Sequence, residues 1–450
     1  MVYMKQKNRH PLIIGTLILT LTGLVSRVIG FFYRIYLSRL FGEEGMGIYQ
    51  LLSPVLALSF SLTAAGYQTA ISKFVAERSA KERSPSLRPM LVGMSISLPL
   101  SLLCCAVIFF FSDFIAVHLL LEPRCASMLK ILSFSVPLGA VHSCVNGYFY
   151  GIKKAGLPAF SQLTEQLTRV GCVYAISAYA FSRGMVPTIN VAVLGLAAGE
   201  FFSMIVSIAS IYCCSLKSRA ASGCGPLLPI YGSILGMALP LTANRIVLNL
   251  LQSVESVSIP AKLRAYGYDT STALSVYGVL TGMAMPLIFF PNALTNSVAV
   301  LLLPLISESY ALGDLRAVKQ SALKTIKYCC ILGFLCMCGF SLFGKQVGVL
   351  LFDSPLAGHF IATLGFICPF MYLDTTLSSI LQGLGMAGRI FIMNVICLLL
   401  RLAFVFFAIP TFGITGYLWG MLASQLVQSV LYLGCLYLFL RRAEKENASL

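Results

Sequence analysis

Charge is what this sequence has least of. Only 11% of its 450 residues are Asp, Glu, Lys or Arg, where a soluble domain carries about 25%. Acids are the scarcer sign, 16 against 32 Lys and Arg. That shortage excludes an ordinary soluble fold. Extended polar stretches are lacking too, and with them the room for the acid, base or metal ligands of a membrane enzyme, so no catalytic role is expected. No phosphate-binding glycine loop is present, which argues against direct coupling to ATP. The fifteen cysteines include the neighbours Cys104 and Cys105, Cys213 and Cys214, and Cys329 and Cys330, but none has metal-ligand spacing. They are expected to stay reduced and fill gaps between helices. His118 and His142 stand alone in sequence, so neither a metal nor a cofactor is expected.

Apolar residues are abundant: 58% of the chain is hydrophobic and the mean hydropathy is +0.87. A bilayer core of about 30 Å is crossed by about 20 apolar residues as a helix, and runs of that length recur about twelve times, with 273–303 counted as one. The class is therefore an all-α polytopic membrane protein. Lys5, Lys7 and Arg9 before the first run imitate a signal peptide, but the run is too long and no small-residue cleavage site follows, so it is expected to be an uncleaved first span. With the N-terminus placed inside, 20 of the 32 cations fall in inner segments, 7 in outer ones and 5 within spans. That asymmetry predicts both termini in the cytoplasm. It also accounts for the basic charge without a nucleic-acid partner.

The two halves repeat. At an offset of 232 residues, Leu132, Phe134 and Pro137 match Leu364, Phe366 and Pro369. The same offset aligns Gly151, Ala155 and Gly156 with Gly383, Ala387 and Gly388, and Arg169 with Arg401. Six spans per unit is an even number, so the halves share one orientation. Such parallel repeats are found in transporters that rock two lobes about a central site. Residues 1–222 and 223–450 are the expected six-helix lobes.

Arginine inside a span costs at least ~2.5 kcal/mol on insertion scales and usually faces a cavity or a partner. Arg27 lies deep in the first run, Arg34 follows seven residues later on the same helical side, and Arg245, beside Asn244 and Asn249, is the second-half counterpart of Arg27. These cations suggest an anionic cargo, with Arg27, Arg34, Arg245 and Asn249 as its contacts. Arg169 has Glu165 one turn before it, a spacing at which side chains meet, and Asp374 is the acid expected to serve Arg401. Both are expected to be ion pairs inside the lobes. Glu200 has no partner in its own helix and is a candidate proton-coupling carboxylate. The spacings Gly195/Gly199 and Gly416/Gly420 suit close helix packing.

Three motifs carry a family resemblance. They are Ser26-Arg-Val-Ile-Gly-Phe-Phe-Tyr-Arg34 with Gly42-Glu-Glu-Gly-Met-Gly-Ile-Tyr49, Ile71-Ser-Lys-Phe-Val-Ala-Glu77, and the proline-led run from Phe290 through Pro304-Leu-Ile-Ser-Glu308 to Gly313-Asp314. Over most of its length the chain resembles the stage V sporulation protein B family of polysaccharide biosynthesis proteins. That family is similar to lipid II flippases in the multidrug, oligosaccharidyl-lipid and polysaccharide flippase superfamily. The resemblance implies two lobes around a cleft lined by the first, second, seventh and eighth spans. It also implies a plasma-membrane flippase, acting as a monomer among membrane lipids on a lipid-linked sugar diphosphate such as a peptidoglycan precursor. A cation antiporter of the same superfamily would want acids in the cleft, and a non-transporting scaffold for wall assembly would leave the arginines unexplained.

Overall fold

Hydrocarbon offers no hydrogen bonds to a peptide group, so a lipid-exposed chain must satisfy its backbone internally, as a helix does. The computed structural model describes residues 9–79, 86–217 and 228–448, and among these there are helices and turns but no strand. Eleven helical stretches are long and apolar enough to cross a membrane. One of them, Ile18–Arg78, is 61 residues long and holds two spans. A further helix, Gly156–Ser182, has the length of a span but carries Glu165 and Arg169. The run expected as one span at 273–303 is divided at Pro291 into Thr270–Phe289 and Asn292–Ala311, since proline supplies no N–H to continue the ladder. Taking that pair as one broken crossing, the crossings number the expected twelve.

The helices used below are α1 (Arg9–Leu51), α2 (Gly66–Ser79), α3 (Arg88–Phe110), α4 (Ser135–Gly151), α5 (Gly156–Ser182), α6 (Asn190–Lys217) and α7 (Leu228–Tyr266). They continue with α8 (Thr270–Gly278), α9 (Asn292–Ala311), α10 (Leu315–Phe352), α11 (Cys368–Gly383), α12 (Ala387–Ala403) and α13 (Ile414–Ala448). The repeat is visible in the helix breaks. Cys125–Ser133 gives way to α4, which ends at Gly151, and Pro355–Leu364 gives way through a short 3-10 turn to α11, which ends at Gly383.

By contacts the chain forms two compact units, one of residues 1–33 and 48–253, the other of 34–47 and 254–450. The halves expected from sequence, 1–222 and 223–450, differ from these because α1 and α7 each divide between units. The core of the first unit packs Tyr67, Ile71, Val75, Val145, Tyr148 and Phe149 with Ile230, Ile234 and Ala238 of α7. The last three side chains hold the start of α7 in this unit. Between α5 and α6, Ser161 Oγ lies 2.7 Å from Ser203 Oγ, and Gly199 sits where a Cβ would come within 2.8 Å of the Glu165 carbonyl. This is the close approach its spacing predicted.

The second unit is built on Ile306, Val318, Leu377, Ile380, Leu381 and Tyr432. It also carries an open apolar cavity of about 460 Å³, lined by residues that include Phe360, Thr363, Ile367, Ile414, Leu418 and Trp419.

Candidate functional site

The family motifs prove to be largely architectural. In α1, Gly42 turns the helix at a positive φ of 70°. Around it, Arg39 donates from Nε to the Leu351 carbonyl at 3.0 Å and from Nη2 to the Leu350 carbonyl at 2.6 Å. A cation thereby covers the C-terminal carbonyls of α10, the pole of a helix that favours positive charge. Glu43 accepts from the Ser354 hydroxyl, and Ser271 Oγ donates to Glu44 at 2.8 Å. Gly47 lies directly against the Leu274 carbonyl, with no room for a Cβ. Residues 39–47 are therefore a fastening within the second unit. In the third motif, Ser307 Oγ donates to the Gly383 carbonyl at 3.0 Å, and Asp314 caps α10 by accepting from the Ala317 amide at 2.9 Å.

Arg27 and Arg245 have no such task. Both are exposed, and among the described residues neither guanidinium has a hydrogen-bond or ion-pair partner. Both belong to the first unit, whereas Arg34, half-buried, belongs to the stretch assigned to the second. Asn249 is half-buried, and its amide donates to the Ala57 carbonyl at 3.3 Å and to the Ser61 hydroxyl. This ties α7 to residues 53–65 within the first unit.

The arginine pairs are partly as expected. Arg169 Nη2 donates to Glu165 Oε1 one turn away, at 2.5 Å. Arg401 does not meet Asp374. Its Nη2 donates to Glu255 Oε2 at 2.6 Å, from a residue 146 positions away in α7, and the Tyr417 hydroxyl donates to the other Glu255 oxygen at 2.8 Å. The physical reason lies in the repeat. Four residues before Arg401, where the first half has Glu165, the second half has Cys397. With no acid one turn away, the guanidinium takes the buried carboxylate of a neighbouring helix. Asp374 instead accepts from Ser429 Oγ at 2.6 Å. Glu255 was legible as the one acid of the apolar α7 sequence but points to no partner by spacing.

Glu200 is not alone either, and His142 is not isolated. His142 Nδ1 on α4 lies 3.1 Å from Glu200 Oε2 on α6, out of line for a good hydrogen bond, and neither atom has another partner among the described residues. One donor atom from each of His142, Glu165 and Glu200 lies within 4.8 Å of the other two. A set of this kind could face a single cation.

The comparisons with known proteins bear on both units. The model of the polysaccharide biosynthesis protein family matches residues 12–310. The chain belongs to this family. A MatE family model also matches residues 246–407. Stage V sporulation protein B of Bacillus subtilis (strain 168) is 28% identical over 432 residues, covering 93% of this chain and 82% of that protein. Lipid II flippase MurJ of the same organism is 22% identical over 398 residues, covering 82% and 72%. The solved structure of a lipid II flippase MurJ in an inward closed conformation superposes with a TM-score of 0.71 at 14% identity, over 94% of this chain and 87% of that one. The fold is that of the multidrug, oligosaccharidyl-lipid and polysaccharide transporters. Family and fold are those of multi-pass membrane transporters and not of enzymes.

Proposed function

We propose that this protein is a flippase that carries an isoprenoid diphosphate bearing a saccharide, such as a peptidoglycan precursor, to the outer leaflet of the cell membrane by alternating access. Arg27, Arg34, Arg245 and Asn249 are its proposed cargo contacts. One observation carries the reading. Arg169 and Arg401 are neutralised by carboxylates inside their own units, whereas Arg27 and Arg245, also in apolar helices, have no partner among the described residues. An arginine held without a counterion in a span is costly, and a guanidinium fork binds phosphate oxygens in a bidentate way while staying charged. The likeness to stage V sporulation protein B and to a lipid II flippase supports the same cargo class.

Asn249 serves with its Oδ1, since its amide N–H groups already hold residues 53–65. Glu200 is the proposed coupling carboxylate. Both termini and the loop of residues 73–88 lie in the cytoplasm. An impermeant thiol reagent that modified a cysteine placed at Lys153 in intact cells would overturn this orientation.

A carrier of organic cations is the competing reading suggested by the MatE match. It would need uncommitted acids; Glu43, Glu44, Glu165 and Glu255 are engaged by partners in the protein, which leaves Glu200 as the acid such a carrier would use. Proteoliposomes holding only this protein test the choice: a fluorescent lipid-linked sugar diphosphate should be flipped, and an organic cation should not. Cation transport without flipping would sink the proposal.

A further inference from the structure

The two intramembrane arginine pairs are not equivalent, and the difference lies in charge. In the second unit Arg401 and Glu255 sum to zero, with the Tyr417 hydroxyl as an extra donor to the carboxylate. The first unit gathers four ionisable side chains from three helices: His142 of α4, Glu165 and Arg169 of α5, and Glu200 of α6. Arg169 is committed to Glu165. With both carboxylates ionised and the imidazole neutral, the cluster carries one uncompensated negative charge. Among the described residues, the other titratable groups within electrostatic reach are the phenols Tyr33 and Tyr49 of α1.

We propose that His142 and Glu200 form a proton-binding site, in which one proton shared by the imidazole and the carboxylate neutralises the cluster. A proton suits the charge count better than a metal, because a divalent ion would turn the net charge from −1 to +1 among apolar helices. A hard monovalent ion is poorly served by an imidazole nitrogen, as such ions prefer oxygen ligands. The imidazole and the carboxylate interact directly at 3.1 Å, so they titrate as one unit and not as two independent groups.

The site is also placed to affect packing. A Cβ on Gly139 of α4 would lie 3.3 Å from Glu200 Oε2, and one on Gly199 of α6 would lie 2.8 Å from the Glu165 carbonyl. Gain or loss of the proton therefore acts where α4 and α5 each approach α6 closely. That this proton drives transport rests on the flippase reading; that it binds does not.

The test is made on the purified full-length protein in lipid nanodiscs without cargo. A pH jump from 8 to 5.5 is followed by proton uptake with an indicator dye. His142→Gln and Glu200→Gln should each take up one proton fewer than the native chain, and the double variant should also lose one and not two. Unchanged uptake in the single variants, or a loss of two in the double, overturns the shared site. Stoichiometric Zn²⁺ binding at pH 7, abolished by the same substitutions, would overturn it in favour of a metal. If the variants do not fold, the native chain is treated with a carbodiimide, which attacks protonated carboxyls, and the label is located by mass spectrometry. Labelling of Glu200 should rise as the pH falls while the ion-paired Glu255 is spared, and no labelling of Glu200 at any pH refutes the proposal. Because no lipid-linked sugar is present, failure to bind a proton and failure to flip cargo are read separately.

Discussion

Replacing Arg27 or Arg245 with alanine separates a cargo contact from a structural one, because the structure gives the two roles opposite signatures. Both side chains are exposed and without partners among the described residues, so their loss removes no packing and strands no buried acid. Such substitutions change stability by no more than about 0.5 kcal/mol. If each guanidinium grips a diphosphate, its loss removes a charge-assisted hydrogen bond worth about 1.5 to 3 kcal/mol, which is roughly tenfold to more than a hundredfold in affinity. Arg27→Lys should recover only part of this, since an ammonium cannot reproduce the planar fork. Arg401→Ala is the contrasting control. It leaves Glu255, 4% exposed, as a buried charge without its counterion, which costs about 3 to 5 kcal/mol, and the amount of folded protein should fall. The assay has two axes: flipping of a lipid-linked sugar diphosphate per folded molecule in proteoliposomes, and folded protein recovered from detergent. Normal flipping by both Arg27→Ala and Arg245→Ala, or failure only because the protein does not accumulate, would refute the cargo assignment.

Other expectations follow from individual contacts. A double-mutant cycle of Arg401→Met with Glu255→Met should show a coupling of roughly 0.5 to 3 kcal/mol in thermal stability, and Arg401→Met with Asp374→Asn should show almost none; the reverse ranking would restore the pairing first expected. Asp269, which caps α8, has its carboxyl held below the ordinary range by hydrogen bonds from the Thr272 hydroxyl and from backbone amides. A depressed carboxylate contributes stability that is present above its unfolded pKa of about 3.9 and is lost as the pH falls through the still lower folded value. Protection of the Ser271 and Thr272 amides, taken relative to their intrinsic exchange rates at each pH, should therefore fall in acid, and Asp269→Ala should remove that pH dependence. Trp419, the one tryptophan of the chain, lines the apolar cavity of the second unit, so its fluorescence should be quenched by brominated acyl chains and not by aqueous iodide.

What the sequence revealed and what it concealed divide along the range of the interactions. Helices were legible because a run of apolar residues is a local signal, and the pair Glu165 and Arg169 was legible because four residues make one turn. The break at Pro291 was also local, but the high hydropathy on both sides of it masked the missing N–H. The partner of Arg401 was not legible, since 146 residues separate it from Glu255 and no periodicity joins them. For the same reason Glu200 looked solitary and His142 isolated until α4 and α6 brought them to 3.1 Å. The division of α7 between units follows from packing of Ile230, Ile234 and Ala238, and that of α1 from the contacts of Arg39, Glu43 and Gly47, all with residues far away in sequence, which composition along the chain cannot register.

The motif at residues 42–49 carries the family resemblance in sequence, but its role appears only in its contacts. Its acids could have been taken for a site, yet Glu43 and Glu44 are both engaged by serines, Ser354 and Ser271, and Arg39 by carbonyls at the end of α10. Once these are assigned, the intramembrane arginines sort by partner. Arg169 and Arg401 are balanced by carboxylates inside their units, and each pair needs no ligand to be stable. Arg27 and Arg245 are balanced by nothing among the described residues. A membrane span gains nothing by keeping an arginine that neither packs nor pairs, since the insertion cost of at least ~2.5 kcal/mol remains. On the flippase reading proposed above, an anion that arrives and leaves during transport is the partner that resolves this, because a permanent counterion would neutralise the very charges meant to bind it.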